Sequence, residues 1–216
     1  MDIKDLFKES YIGKQVTISG WVRNHRKSSN FAFIVLSDGT TINTLQVVYD
    51  TSLSNYEEIN KVLVGSSLEV TGTIVESSGN QDFELKAESI KILGLADETY
   101  PIQAKRHTRE FLREVGHLRA RTNLFNAVFR VRSVAAKAIH KYFQDRNYVY
   151  FHAPIITSSD CEGAGEMFQV TTLDLNRIAS SGKYEPEKDF YGKTTGLTVS
   201  GQLEAETFAT AFKKTY

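Results

Sequence analysis

Cysteine is almost missing from this chain. Cys161 stands alone among 216 residues, so no intramolecular disulfide can form and no cysteine cluster points to structural zinc. A reducing cytosol, hence a cytoplasmic protein, is the expectation. Proline occurs three times, which excludes a collagenous or proline-rich disordered chain. No apolar run approaches the roughly 18 to 20 residues that a membrane helix needs, and the first ten residues alternate charges where a signal peptide would carry an apolar stretch. These absences predict a soluble, unexported protein with no membrane partner. What is present is ordinary for a globular protein: 41% apolar and 24% charged residues, with chain enough for one large domain or two ordinary ones.

Net charge is lacking too, but the balance hides an asymmetry. Residues 1–100 carry 9 basic and 14 acidic side chains (net −5), residues 101–150 carry 11 and 3 (net +8), and residues 151–216 carry 6 and 9 (net −3). A basic block of this kind is the footprint of a polyanion partner. A solvated helix face accounts for the same charges equally well.

The first hundred residues read as short strands with turn signals between them. Gln15 to Arg23 alternates Val16, Ile18 and Val22 against polar positions, Phe31 to Leu36 is an apolar run closed by Ser37-Asp38-Gly39, and Leu45 to Tyr49 is β-branched and aromatic. Tyr56 to Val64 reads as a short helix ended at Gly65, and Leu68 to Ser77 and Phe83 to Leu93 as two further strands. Five strands with one helix between the third and fourth is the order of an OB-type barrel; an SH3-like or other small barrel has the same strand count. Trp21, beside Gly20, reads as core, and His25 has no evident partner.

Beyond the barrel, Asp97 to Arg121 is polar and basic and reads as a hinge ending in a basic helix. Apolar residues at 124, 128, 131, 135, 138 and 142, flanked by a second row at 125, 129, 136, 139 and 143, predict a helix from Leu124 to Phe143 with a broad buried face. Tyr148 to Phe151 then reads as a strand, Gly163-Ala164-Gly165 as a flexible loop, Phe190 to Leu203 as a hairpin or strand, and Gln202 to Lys214 as a final helix.

Two stretches carry a resemblance: the run Phe111 to Arg121, which includes His117-Leu118-Arg119-Ala120-Arg121, and Phe151-His152-Ala153-Pro154 after the long helix. They resemble the class II aminoacyl-tRNA synthetases that handle aspartate, asparagine and lysine. The helix, strand and Pro154 are similar to that family's first signature motif, which implies a homodimer interface. Glu162-Gly163-Ala164-Gly165-Glu166-Met167-Phe168 and Ser200-Gly201-Gln202-Leu203 resemble the bacterial asparaginyl branch. The resemblance implies a mixed fold: an all-β OB-fold anticodon-binding barrel over 1–96, a hinge over 97–121, and over 122–216 the start of an α+β catalytic domain, an antiparallel sheet with helices.

It also implies site residues. Phe33 matches the anticodon-stacking aromatic, Gln46 the base-reading amide, Arg26 a phosphate or base contact, and Glu84 a carboxylate reading a base edge. Single-stranded RNA recognition needs such stacking platforms and polar edge readers. For Phe33 the bland alternative is barrel core. Along the hinge, Arg109, Arg113 and Arg119, with Lys105, Arg106 and Arg121, would contact the tRNA body, some of them pairing instead with Glu110 and Glu114.

In the final helix Gln202, Ala205 and Glu206 fall at i, i+3 and i+4, on one face. In the resembling aspartyl enzymes a lysine matches Ala205; here Glu206 would accept the side-chain NH2 of asparagine and repel aspartate. Gln202 and Ser200 match substrate-contacting positions, Glu162 the loop carboxylate that binds the substrate ammonium, and Glu166 would support that loop. A pair of solvated carboxylates is the alternative for Glu204 and Glu206.

The implied reaction activates asparagine with ATP and Mg2+ and transfers it to its tRNA. Attack by a carboxylate on a phosphate needs no nucleophilic side chain, so no catalytic residue is assigned; Cys161 has no histidine placed to activate it. The family's second and third motifs, which hold ATP and its metal, do not occur in the sequence, so this chain is expected to be an inactive fragment of the enzyme. A non-catalytic tRNA-binding and dimerising module, or an aspartate-accepting relative, is the alternative; continuation of the parent reading frame into the two motifs separates fragment from module.

Overall fold

The computed structural model describes residues 1–28, 31–79, 81–161, 163 and 166–216. The chain divides into two compact units, Met1–Arg132 and Ser133–Tyr216.

The first unit is built on a closed five-stranded barrel. Its strands are β1 (Gln15–Lys27), β2 (Phe31–Ser37), β3 (Leu45–Asp50), β4 (Ser67–Glu76) and β5 (Phe83–Gly94), in the order β1-β2-β3-β5-β4. All pairings are antiparallel except β3 with β5, which closes the barrel in parallel. This is the OB-type barrel read from the strand order. Period-two alternation explains the inward faces: Val16, Ile18 and Val22 on β1, Ala32, Ile34 and Leu36 on β2, Leu45, Val47 and Tyr49 on β3, and Leu68, Val70 and Ile74 on β4 are buried. A short helix α1 (Ile3–Leu6) plugs the barrel with Ile3 and Leu6, and α2 (Tyr56–Ile59) adds Ile59. The Ile3 amide donates to Asp38 Oδ2 at 2.6 Å, fixing α1 to the β2 end.

Several expectations need correcting here. The helix expected over Tyr56 to Val64 ends at Ile59 and continues as turns. Trp21 is not core: it is 46% exposed, because Gly20 and Val22 are the inward residues on either side of it. β1 runs on to Lys27, past Arg23, where a register shift lets the strand continue.

After the barrel come α3 (Arg109–Glu114), capped by the Thr108 hydroxyl accepting from the Phe111 amide, and a single 3-10 turn, Arg119–Arg121. The long helix α4 (Asn123–Gln144) starts in the first unit and ends in the second. It forms where the apolar spacing predicts it, but the expected buried face is not buried: Val131 is 69% exposed and Val134 67%.

The second unit holds three short antiparallel strands, β6 (Ile156–Thr157), β7 (Gln169–Val170) and β8 (Thr195–Leu197), ordered β6-β8-β7. Helix α5 (Leu175–Ser181), which the sequence reading passed over, is capped by Asp174 at its start and by Gly182 in the left-handed region at its end. Helix α6 (Gln202–Phe212) closes the unit. Tyr148 to Phe151 is not a strand. It is an extended stretch with one parallel bridge, Val149 to Thr215.

Candidate nucleic-acid interface and amino-acid pocket

The outward face of the barrel brings together the four residues assigned to anticodon reading. Arg26 on β1 stands opposite Phe33 on β2, and Val35, two residues on, stands opposite Gln46 on β3. Arg26 Nη2 donates to Gln46 Oε1 at 3.2 Å, Gln46 Nε2 donates to Glu84 Oε2 at 3.0 Å, and the Arg26 guanidinium lies 5.6 Å from the Phe33 ring centroid. Phe33 is half-buried on the face opposite Ala32 and Ile34, so it lies outside the barrel core. Phe31, Ser77 and Gln81, which the sequence reading did not single out, surround this cluster. Phe31 is 44% exposed and meets Phe33 edge to face at 5.3 Å. Ser77 Oγ and Gln81 Nε2 both donate to Glu84 Oε2, at 3.1 and 3.4 Å. The i, i+2 spacing of Phe31 and Phe33 was the available signal for the first; nothing local marks the other two.

The resulting surface is an aromatic pair beside a guanidinium, an amide and a carboxylate held in one hydrogen-bonded chain. It offers stacking faces together with donors and acceptors, the combination that reads unstacked bases.

Among the hinge arginines, Arg109 and Arg113 are exposed at the two ends of α3, whereas Arg119 lies over the rings of Phe125 (5.0 Å) and Phe129 (5.6 Å). The expected pairing with Glu110 and Glu114 does not form. Among the described residues the ion pairs are all made by lysines, Lys4, Lys8, Lys141 and Lys188.

In the second unit, Gln202 Nε2 donates to Glu206 Oε1 at 3.3 Å across one turn of α6, with Ala205 half-buried on the same face. Ser200 Oγ accepts from the Gln202 amide at 3.2 Å, which sets the start of the helix. Gly201 packs against Ala153, where an added Cβ would come within 2.7 Å of the Ala153 Cβ, and Phe151 stacks on Phe208 at 5.1 Å. The segment before the exposed Pro154 is thereby fastened to α6. Gln202 and Glu206 are exposed and α6 buries no residue, since strands of two or three residues give it little to pack on. Glu166 is exposed; Glu162, Ala164 and Gly165 lie outside the described residues.

Asp189 ties the segment between β7 and β8 together. Its Oδ1 accepts from the Thr172 amide and hydroxyl and from the Phe190 amide, each at 2.8 Å. The Thr171 hydroxyl and the Thr172 amide hold its carboxyl well below the usual carboxylate range.

Comparison with known proteins bears on both units. Residues 16–93 match the family model described as "OB-fold nucleic acid binding domain". Residues 108–216, half of the chain, match that of "tRNA synthetases class II (D, K and N)". The chain belongs to this class II synthetase family. Class II relatives named asparagine–tRNA ligase are 52% identical in Bacillus anthracis, 54% in Desulfitobacterium hafniense and 53% in Clostridium perfringens. Each alignment covers 99% of this chain and 47% of the relative, so the chain spans about half the length of the curated relatives it matches. The fold is also that of the asparaginyl-tRNA synthetase from Pyrococcus horikoshii complexed with asparaginyl-adenylate, with a TM-score of 0.79 at 20% identity over 98% of this chain and 45% of that one. A class II synthetase structure from Entamoeba histolytica, also asparaginyl, gives 0.74 at 21% identity over 98% of this chain and 46% of that one.

Proposed function

We propose that this chain is the N-terminal part of an asparagine–tRNA ligase, which binds the anticodon on its barrel and contributes one wall of the amino-acid pocket. The observation that carries the reading is the Arg26–Gln46–Glu84 chain beside Phe33, in a chain more than half identical to asparagine–tRNA ligases. Phe33 stacks a base, Gln46 and Glu84 read base edges, and Arg26 contacts a base or phosphate. The barrel domain extends over 1–96 and the hinge over 97–121; Arg109, Arg113 and Arg119 in the hinge lie along the tRNA body.

The amino-acid side rests on charge. Glu206 accepts the asparagine NH2 and repels an aspartate carboxylate, and Ala205 leaves room where a lysine would attract one. Ser200, Gln202, Glu162 and Glu166 complete that wall. The catalytic domain begins at 122. Its exposed α4 stripe and Pro154 form a homodimer interface. ATP and Mg2+ are substrates of the longer protein, which is cytoplasmic. Among the described residues no three His, Cys, Asp or Glu side chains gather as a metal site, and we assign no metal ligand to this chain. Among the same residues no helix is long and apolar enough to cross a membrane.

Binding of a stem-loop carrying an asparagine anticodon to the 216-residue chain tests the reading. Phe33→Ala should weaken it by about 1–3 kcal/mol, the cost of one lost base stack. Equal affinity for stem-loops with unrelated anticodons, or an unchanged affinity in a folded Phe33→Ala variant, would sink the assignment.

A further inference from the structure

The pairing of β1 with β2 is broken at one place. Val22 stands opposite Leu36 and Asn24 opposite Val35, which leaves Arg23 with no partner across the ladder. A bulge of this kind bends the strand and re-aims the extra side chain, and bulges recur beside functional sites. Here Arg23 lines an open cavity of about 1530 Å³ within the first unit. Tyr100, Arg121 and Asn123 line the same cavity. Tyr100 packs flat on Gly65, where an added Cβ would come within 2.7 Å of the ring. Arg121 Nη1 donates to the Tyr100 hydroxyl at 3.4 Å, and Arg23 Nη2 reaches Asn123 Oδ1 at 3.4 Å, both long contacts.

The charge in this cavity is one-sided. Arg23, Lys105, Arg106, Arg109 and Arg121 line it, against Glu110 alone among carboxylates. Burial lowers the pKa of the Arg23 guanidinium; Tyr100 raises it in part, and the neighbouring Arg121 charge lowers it further. The half-buried Arg23 guanidinium, beside a second cation and with only a long neutral contact to Asn123, is destabilised relative to water, and an anion shared with the exposed Arg121 removes that cost. The planar fork of arginine matches phosphate oxygens two at a time.

We propose that Arg23 and Arg121 together grip one backbone phosphate of a bound tRNA, at a point beyond the anticodon bases. The proposal rests on the reading of the chain as a tRNA-binding protein. Arg23 lies three residues from Arg26 on β1, about 10 Å along the strand, so an RNA held at the anticodon cluster passes close by. The cavity is open and exceeds the roughly 300–1,000 Å³ of small-ligand pockets, which fits a polymer threading past rather than an enclosed metabolite.

The test compares two RNAs on the 216-residue chain: full-length tRNA for asparagine, and a seven-nucleotide single strand holding only its anticodon loop. Arg23→Gln and Arg121→Gln should each weaken tRNA binding by roughly tenfold, as expected for a charged hydrogen bond, and lower the salt slope by about one. Neither should affect the heptamer. The double variant should lose less than the product of the two, because both grip one phosphate. Arg23→Lys, which keeps the charge without the fork, should fall between wild type and Arg23→Gln, and matched melting temperatures exclude misfolding. The proposal is overturned if Arg23→Gln leaves tRNA affinity and salt slope unchanged, or if it weakens both RNAs equally. If Phe33→Ala leaves heptamer binding intact while Arg23→Gln still weakens tRNA, the anticodon assignment falls and the phosphate site stands.

Discussion

His25, for which the sequence offered no partner, has two. Its Nδ1 lies 2.9 Å from the Val62 carbonyl oxygen, which can only accept, so Nδ1 carries the proton. Nε2 is therefore the acceptor for the Tyr49 hydroxyl at 2.7 Å. The Tyr49 hydroxyl also lies 3.2 Å from Asn60 Oδ1, a second acceptor for its one proton. Burial lowers the His25 pKa, which favours the neutral imidazole. Because the folded pKa lies below the ordinary 6.5, the unfolded chain binds the extra proton first, so stability is complete above about pH 6.5 and is lost as pH falls below it. Thermal melts at pH 7.5 and 5.5 should show a drop that His25→Gln largely removes; equal pH dependence in the two proteins would exclude His25 as its source. Glu206 makes the other prediction at this scale, in the longer ligase proposed for this chain. Glu206→Gln should lower kcat/KM for asparagine by about 10- to 100-fold, the worth of a charged hydrogen bond. Its margin over aspartate should narrow, with Glu204→Gln near wild type. An unchanged Asn/Asp ratio in adenylate formation would refute the specificity role.

Among the elements, β4 and β5 show how one residue sets a pairing. Their register shifts between Thr71 and Gly72, and a Cβ at Gly72 would come within 2.1 Å of the Lys86 carbonyl oxygen. Backbone cannot give way as a flexible side chain can, so Gly72→Ala should cost at least about 1–3 kcal/mol, the range for overpacking. Urea denaturation measures this as a lower midpoint with the slope kept; an unchanged midpoint would mean the strands separate there at little cost. Arg23 is the opposite case, an added residue in β1 that the ladder tolerates by bulging. Helix α4 has a clear apolar stripe, yet every residue of it is at least partly exposed. A helix of 22 residues with such a face gains its stability from whatever covers that face.

At the scale of the whole molecule, the apolar core is unevenly shared. Among the described residues every buried large apolar side chain belongs to Met1–Arg132, and Ser133–Tyr216 buries only Asp189, Thr195 and Gly196. The second unit therefore leaves apolar surface exposed, and α4, which runs from the first unit into it, exposes Val128, Val131, Val134 and Ile139. If a second copy covers the α4 stripe, as the proposed homodimer requires, Val131→Glu should weaken self-association at least tenfold in sedimentation velocity, since a charge buried in an apolar interface is costly. The barrel's melting temperature should not change. A chain that is monomeric at all concentrations, before and after the substitution, would remove the homodimer from the proposal.

Alternation of period two and of 3.6 is a local property, so the sequence by itself determined the five strands, their inward faces, the span of α4 and the start of α6. The order of strands around a helix was enough for an OB-type barrel. The candidate site was legible only through the family resemblance, because Arg26, Phe33, Gln46 and Glu84 sit on four different strands and meet through barrel closure, with β3 laid parallel to β5. The bulge at Arg23, the outward turn of Trp21 and the partners of His25 likewise depend on residues far away in the chain. Tertiary structure alone decided them, since pairing register and burial are set by what a segment meets and not by the segment.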